Sequence, residues 1–171
     1  MSGRLMAGQR GGAVRIQAPL LDRLIDLAPD QLRDPPSSAA DSLIALRNAV
    51  RRDLEALLNA RRRWLSWPAA LTELAVSPIG YGVPDFGSGA FNDPRQREEL
   101  RLEIEESIRR FEPRFLSVSV SLASTEQSLD ATLRLRIDAM LQAEPAPEPV
   151  TFDTIVDPSN DQVIVTANDA G

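Results

Sequence analysis

The sequence predicts an α+β fold: two main helices packed on a small, mostly antiparallel four-stranded sheet, with an N-terminal tail. Three observations predict it. Apolar residues recur at intervals of three and four from Leu43 to Leu57, the spacing of one helix face. A second helical stretch opens at Asp93 and Pro94, a cap followed by a proline suited to the first turn. From Leu116 onward the period changes to two, as in half-buried strands. Helix, loop, helix, then strands is the order of a sheet with its helices on one face. The 171 residues are 43% hydrophobic, which suits one compact domain plus tails.

The elements follow in chain order. Residues 1–36 read as a flexible tail, Gly-rich and polar up to residue 18. Within it, PLLDRLIDL at 19–27 is a short amphipathic segment carrying Leu20, Leu21 and Leu24. Two roles stay open for it: a docking peptide, or a first helix on the domain's own core. DPPSS at 34–38 breaks the chain. The domain proper is expected over 37–167, with 168–171 as a C-terminal tail.

Helix one is expected from about Ala40 to Arg61, capped by Ser38 or Asp41. Leu43, Leu46, Val50, Leu54 and Leu57 are its buried stripe. Asn59 interrupts the pattern, and Arg61, Arg62 and Arg63 follow, with Trp64 next. Cations complement a helix C-terminus, yet three arginines beside a tryptophan exceed what a cap needs. Such a cluster has the composition of an interface, so cap and interface both stay open. Trp67-Pro68 ends this region, and PAALTEL forms one or two further turns. SPIGYGVPDFGSGAFNDP reads as a long ordered loop anchored by Tyr81, Phe86 and Phe91. Gly87, Ser88 and Gly89 do not make a phosphate loop, because no strand pattern leads into them.

Helix two buries Leu100, Ile104, Ile108 and Phe111, and sets Glu105 four residues before Arg109 and Glu106 four before Arg110. Pairs in that order contribute about 0.3 kcal/mol each, so this dense charge is a solvated face. Leu116, Val118, Val120 and Leu122 point inward from a first strand. STEQS at 124–128 turns the chain, and Leu133, Leu135 and Ile137 point inward from a second. EPAPEP at 144–149 is a stiff linker. Third and fourth strands cover Val150–Val156 and Gln162–Thr166, with a turn at 157–161 between them.

Composition removes most catalytic classes. The chain has no Cys and no His, and all 19 of its basic residues are Arg. Disulfides, thiolate chemistry, Ser-His-Asp catalysis, the usual zinc sites, a Walker A loop and Schiff bases are thereby excluded. No cofactor or metal is expected. A net charge of −6 disfavours nucleic acid. No apolar run approaches the ~20 residues of a membrane span, and no signal peptide opens the chain, so a cytoplasmic location is expected. Carboxylate-pair glycosidases survive as almost the only common enzyme class. Glu55, Glu73 and Asp85 are candidates for such a pair, though none stands in an unusual setting.

The series LLDRL at 20–24, RRDLEALLNARRR at 51–63, YGVPDF at 81–86, FEPR at 111–114 and EPVTFDTIVDPS at 148–159 resembles the TssE-like family of type VI secretion system baseplate subunits. That family is grouped with the small wedge proteins of contractile-tail phage baseplates and carries a lysozyme-like label. The resemblance covers roughly residues 20–165. Ala60 stands where the family's LLN-T-R signature usually has Thr, so any hydrogen bond made by that hydroxyl is absent.

The resemblance implies a non-catalytic structural subunit that links the baseplate wedge to the contractile sheath and initiates sheath assembly. The alternatives are a peptidoglycan muramidase and a regulatory adaptor on the same fold. It implies docking of the Glu112, Pro113 and Arg114 motif on wedge proteins TssF and TssG, with TssK nearby. It implies that sheath subunits TssB and TssC are reached by β-strand addition, for which the C-terminal strands beyond the proline linker are the natural candidates. Its setting is a baseplate at the inner face of the cytoplasmic membrane, with no nucleic acid and no membrane insertion. Leu20, Leu21, Leu24, Asn59, Arg61, Arg62, Glu112, Pro113 and Arg114 are the expected partner interface. A simpler role for the last three is that Pro113 stops helix two and Arg114 caps it.

Overall fold

In the computed structural model, residues 22, 24, 38–62, 66, 68, 70–85, 93–123, 133–144, 146–157 and 162–168 are described. Leu20, Leu21, Arg63, Trp64, Trp67, Phe86, Phe91, the Gly87–Gly89 triplet and the turns at 124–128 and 158–161 lie outside the described residues.

Helix α1 spans Ala39–Asn59. Ser38 Oγ accepts the Asp41 N–H at 3.1 Å, and Asp41 Oδ2 accepts the Ser38 N–H at 3.1 Å. Both candidate caps are thus used at once, in a reciprocal box with Asp in the place of Glu. Leu46, Val50, Leu54, Leu57 and Leu58 are buried, and Leu43 is half-buried.

The helix does not reach Arg61. Ala60 is extended, and Arg61–Arg62 form β1, which pairs in parallel with β2, Val83–Pro84. The reason lies in a residue distant in sequence. Gly82 has φ of +102°, and a Cβ there would sit 2.3 Å from the Ala60 carbonyl oxygen. Only glycine allows that approach, and it lets the Val83 N–H donate to Ala60 O at 3.0 Å. Pairing with residues 82–84 diverts the backbone from the helical path.

A short 3-10 turn covers Thr72–Val76. Helix α2 spans Pro94–Phe111, and Asp93 accepts the Arg95 N–H at 2.9 Å. Leu100, Ile104 and Ile108 are buried as expected, and so is Ser107, whose hydroxyl donates to Gly82 O at 3.0 Å. Phe111 is half-buried at the rim.

The expected four strands form one antiparallel sheet in sequence order: β3 Phe115–Leu122, β4 Leu133–Leu141, β5 Glu148–Asp157 and β6 Gln162–Asn168. In β4 every second residue from Leu133 to Leu141 is buried. Helix α1 packs along β6 and α2 along β3, so both helices cover one face. The opposite face carries Arg134, Arg136 and Asp138, all exposed.

Two further expectations are corrected. Leu116 does not point inward: it is 57% exposed. A bulge between Phe115 and Ser117 shifts the register and reverses the alternation at the strand's start. Phe115 takes the inner position instead, its ring centroid 6.5 Å from that of buried Phe152. Nor does the proline linker let the last strands stand apart from the first hairpin. β5 pairs with β4 along its length, from Leu133 opposite Val156 to Leu141 opposite Glu148, because a continuous ladder satisfies backbone groups that separation would strand.

Candidate interaction surface

At the junction of α2 and β3 the chain places a carboxylate in an apolar setting. Glu112 ends α2, its N–H bound to Ile108 O at 2.8 Å, and the residue is only 4% exposed. A buried charge needs a partner, and Arg114 supplies it. Pro113 and the turn bring Arg114 back so that its Nε and Nη2 both donate to the Glu112 carboxylate. Nη2 also donates to Asp53 Oδ2 on α1 at 2.7 Å. The Arg114 guanidinium therefore clamps the two helices rather than capping one. Burial pulls its pKa down, but the Glu112 and Asp53 carboxylates outweigh that and raise it.

The constellation continues outward. Asp53 Oδ1 accepts from Arg52 Nη2 at 3.0 Å, and Arg52 Nη1 donates to Asp22 Oδ1 at 2.7 Å. These two hydrogen-bonded carboxylates, Asp22 foremost, raise the Arg52 pKa. Asp22 belongs to the N-terminal amphipathic segment, and its neighbour Leu24 is 73% exposed. Tyr81 borders the cluster, 37% exposed, with its ring edge-on to Phe111 at 5.2 Å between centroids. Tyr81 thus serves as the loop anchor expected. Burial, then the charges of Asp53 and Glu112, push its phenol above 10.0. Pro113 is exposed beside this set.

Asn59, Arg61 and Arg62 have partners within the chain. Asn59 Oδ1 accepts the Val163 N–H at 2.9 Å, and its Nδ2 donates to Val163 O and to Glu55 O, each at 2.8 Å. Arg61 Nη1 donates to Leu58 O at 3.0 Å, at the end of α1. Arg62 reaches Glu103 on α2 at 2.8 Å. Of the nine expected residues the structure gathers Glu112, Pro113 and Arg114 at one place; Asn59, Arg61 and Arg62 lie at the end of α1. Sequence reasoning missed Asp53, Arg52 and Asp22 as members of the charged cluster. The signal was weak: Arg52 and Asp53 sit on the polar side of α1 and look like ordinary surface charge.

Of the carboxylates considered for hydrolysis, Glu55 is paired with Arg51 at 2.8 Å, while Glu73 and Asp85 are exposed. Among the described residues no acidic cluster suits a metal ion, and no helix is long and apolar enough to cross a membrane.

Two helices on one face of a four-stranded sheet, clamped at the α2–β3 junction by an Arg between two carboxylates, define a small α+β protein. Residues 44–146, more than half of the chain, match the family described as baseplate wedge protein gp25, and the chain belongs to that family. The family is generally structural rather than catalytic. A chain from a solved structure titled "The baseplate complex from the type VI secretion system" is similar, with a TM-score of 0.45 and 15% sequence identity, covering 66% of this chain and 94% of its own. No curated protein matches.

Proposed function

We propose that this protein is a structural subunit of a type VI secretion system baseplate, joining the wedge to the contractile sheath and initiating sheath assembly. Family membership and the ordered series of five motifs support the reading. The observation that carries it is the clamp of Arg114 on buried Glu112 and on Asp53. Capping α2 would require Arg114 to donate to the helix's last carbonyls, whereas its Nε donates to Glu112 and its Nη2 to Asp53. The clamp fixes exposed Pro113 and the solvent edge of Arg114 in one pose, which is the preorganisation that a docking surface needs.

On this reading the Glu112-Pro113-Arg114 corner and Tyr81 face the wedge proteins TssF and TssG, and the segment at 19–27 adds a second contact. The sheet shares strands with sheath subunits TssB and TssC. Co-purification with TssF and TssG tests the wedge contact. Arg114→Ala and Glu112→Ala, each checked for a native melting profile, are expected to lose that association. If both variants retain it and still support sheath assembly, the corner is not the docking site.

A further inference from the structure

The folded domain builds a carboxylate-receiving site from its own charges and fills it with a residue of the N-terminal segment. Arg52 lies on α1, where Asp53 Oδ1 accepts from its Nε at 3.2 Å and from its Nη2 at 3.0 Å. Asp53 is held in turn by Arg114. Fixed in this way, Arg52 turns the fork of Nη1 and Nη2 toward Asp22. Nη1 donates to Asp22 Oδ1 at 2.7 Å and Nη2 to Oδ2 at 3.4 Å. Two donors on two carboxylate oxygens is the bidentate geometry by which a guanidinium recognises a carboxylate.

Charge decides what fits the fork. Glu112, Arg114, Asp53 and Arg52 alternate in sign and balance one another, so one further carboxylate completes the chain and a cation meets like charge. Asp22 is that carboxylate, half-buried against the domain. Its hold is slight. Arg52 keeps 45% of its side chain exposed, and exposed ion pairs are weak and screened by salt. Leu24 is 73% exposed, so no apolar burial at that position reinforces the pair. Asp22 and Leu24 are both helical, yet a segment as short as 19–27 does not keep a helix in water by itself. The pair therefore anchors the segment on α1 without fastening it. Because Arg52 shares Asp53 with Arg114, the fork lies beside the Glu112–Pro113–Arg114 corner, within reach of whatever docks there.

We propose that Arg52 is a carboxylate-swap site at the rim of the docking corner. In the free subunit it holds Asp22 and so parks the segment at 19–27 on α1. On docking, an aspartate or glutamate of the wedge partner takes the fork and releases the segment. The swap leaves the charge at the site unchanged. It is driven by the freed leucines, which find on the partner the apolar contact that Leu24 lacks on α1. This rests on the wedge-docking reading above, and adds to it a self-occupied latch and the acidic chemistry of the group that opens it.

The test reads hydrogen exchange of the 20–27 amides in the free full chain, and binding of that chain to a TssF–TssG complex. Asp22→Asn and Arg52→Gln are each expected to speed the hydrogen exchange about threefold, as added salt does, and the double variant no further. Unchanged hydrogen exchange in both single variants overturns the latch. In binding the two variants part. Asp22→Asn is expected to tighten association about threefold, because the fork is vacant. Arg52→Gln is expected to bind at least about threefold more weakly than Asp22→Asn, because the partner's carboxylate has lost its receptor. Adding Asp22→Asn to Arg52→Gln changes nothing further. A pair with only a structural role is lost identically from either end, so equal effects of the two single variants overturn the swap. So does the absence of tightening in Asp22→Asn. In both cases loss of binding in Arg114→Ala leaves the docking corner standing. If the native chain does not bind the complex, or Arg114→Ala and Glu112→Ala both bind as it does, the docking reading falls and the swap falls with it.

Discussion

The Asn59 side chain occupies the place of a missing strand beside Val163, accepting its N–H at 2.9 Å and donating to its carbonyl at 2.8 Å. An amide in a side chain has the same donor and acceptor as a peptide group, so α1 closes the edge of β6 without a further strand. An unprotected edge pairs with whatever strand it meets. Asn59→Leu is therefore expected to lower stability by about 2 kcal/mol, two net hydrogen bonds at the sheet edge. Urea unfolding measures the loss, and concentration-dependent sedimentation measures any self-association through the exposed edge. A change below about 0.5 kcal/mol would mean that water replaces the amide at no cost.

Gly82 gives the sharpest backbone prediction. Its φ is +102°, and only 2.3 Å would separate a Cβ at this position from Ala60 O, which leaves no room for a side chain. Gly82→Ala is expected to cost about 2–4 kcal/mol, through loss of the β1–β2 pair. Thermal unfolding reads the cost. A near-neutral result would show that this close approach is not required in solution.

The Arg101–Glu105 pair makes acid stability informative. Burial opposes ionisation of Glu105, but the Val120 N–H, Arg109 and Arg101 outweigh it and hold its carboxyl below the ordinary 4.5. The native value lies below the unfolded one. The ionised group thus contributes stability that is complete above the unfolded value and is lost as pH falls through the native one. Asp41 and Glu98 are held low as well, so a difference experiment is needed. Glu105→Gln is expected to be less stable than the native chain by about 1 kcal/mol near neutral pH. That gap should close as pH drops below the ordinary carboxylate range. A gap that is independent of pH would show that Glu105 acts by its shape alone.

Tyr81 is the chain's single tyrosine, so alkaline absorbance reports it alone. Burial and the nearby Asp53 and Glu112 charges raise its phenol above 10.0. Asp53→Asn is expected to move the midpoint down toward that value, leaving the parts due to burial and to Glu112. Stability linked to this group is present below the unfolded value and lost as pH rises through the native one. An unmoved midpoint in Asp53→Asn would show that the charged cluster does not face the ring.

The sequence determined everything set by local periodicity and local chemistry. The α1 stripe from Leu46 to Leu58, the Ser38 and Asp93 caps and the alternation in β4 all follow from neighbours within a few residues, because helix and strand periods are local properties. The i,i+4 pairs on α2 follow for the same reason. The Glu112–Arg114 corner was singled out as an expected interface through resemblance rather than through physics.

Only the tertiary structure decided where long-range partners lie. Nothing local tells that Gly82 lets a loop draw Ala60 out of its helix, or that a bulge turns Leu116 to solvent and Phe115 inward. Asp53 reads as surface charge until the fold brings it to Arg114, 61 positions away. Asn59 reads as a helix breaker until Val163, 104 positions away, shows it to be a strand surrogate. Edge protection is a relation between elements: a side chain plugs a sheet only where packing sets its helix beside the outer strand, and no window along the chain contains both.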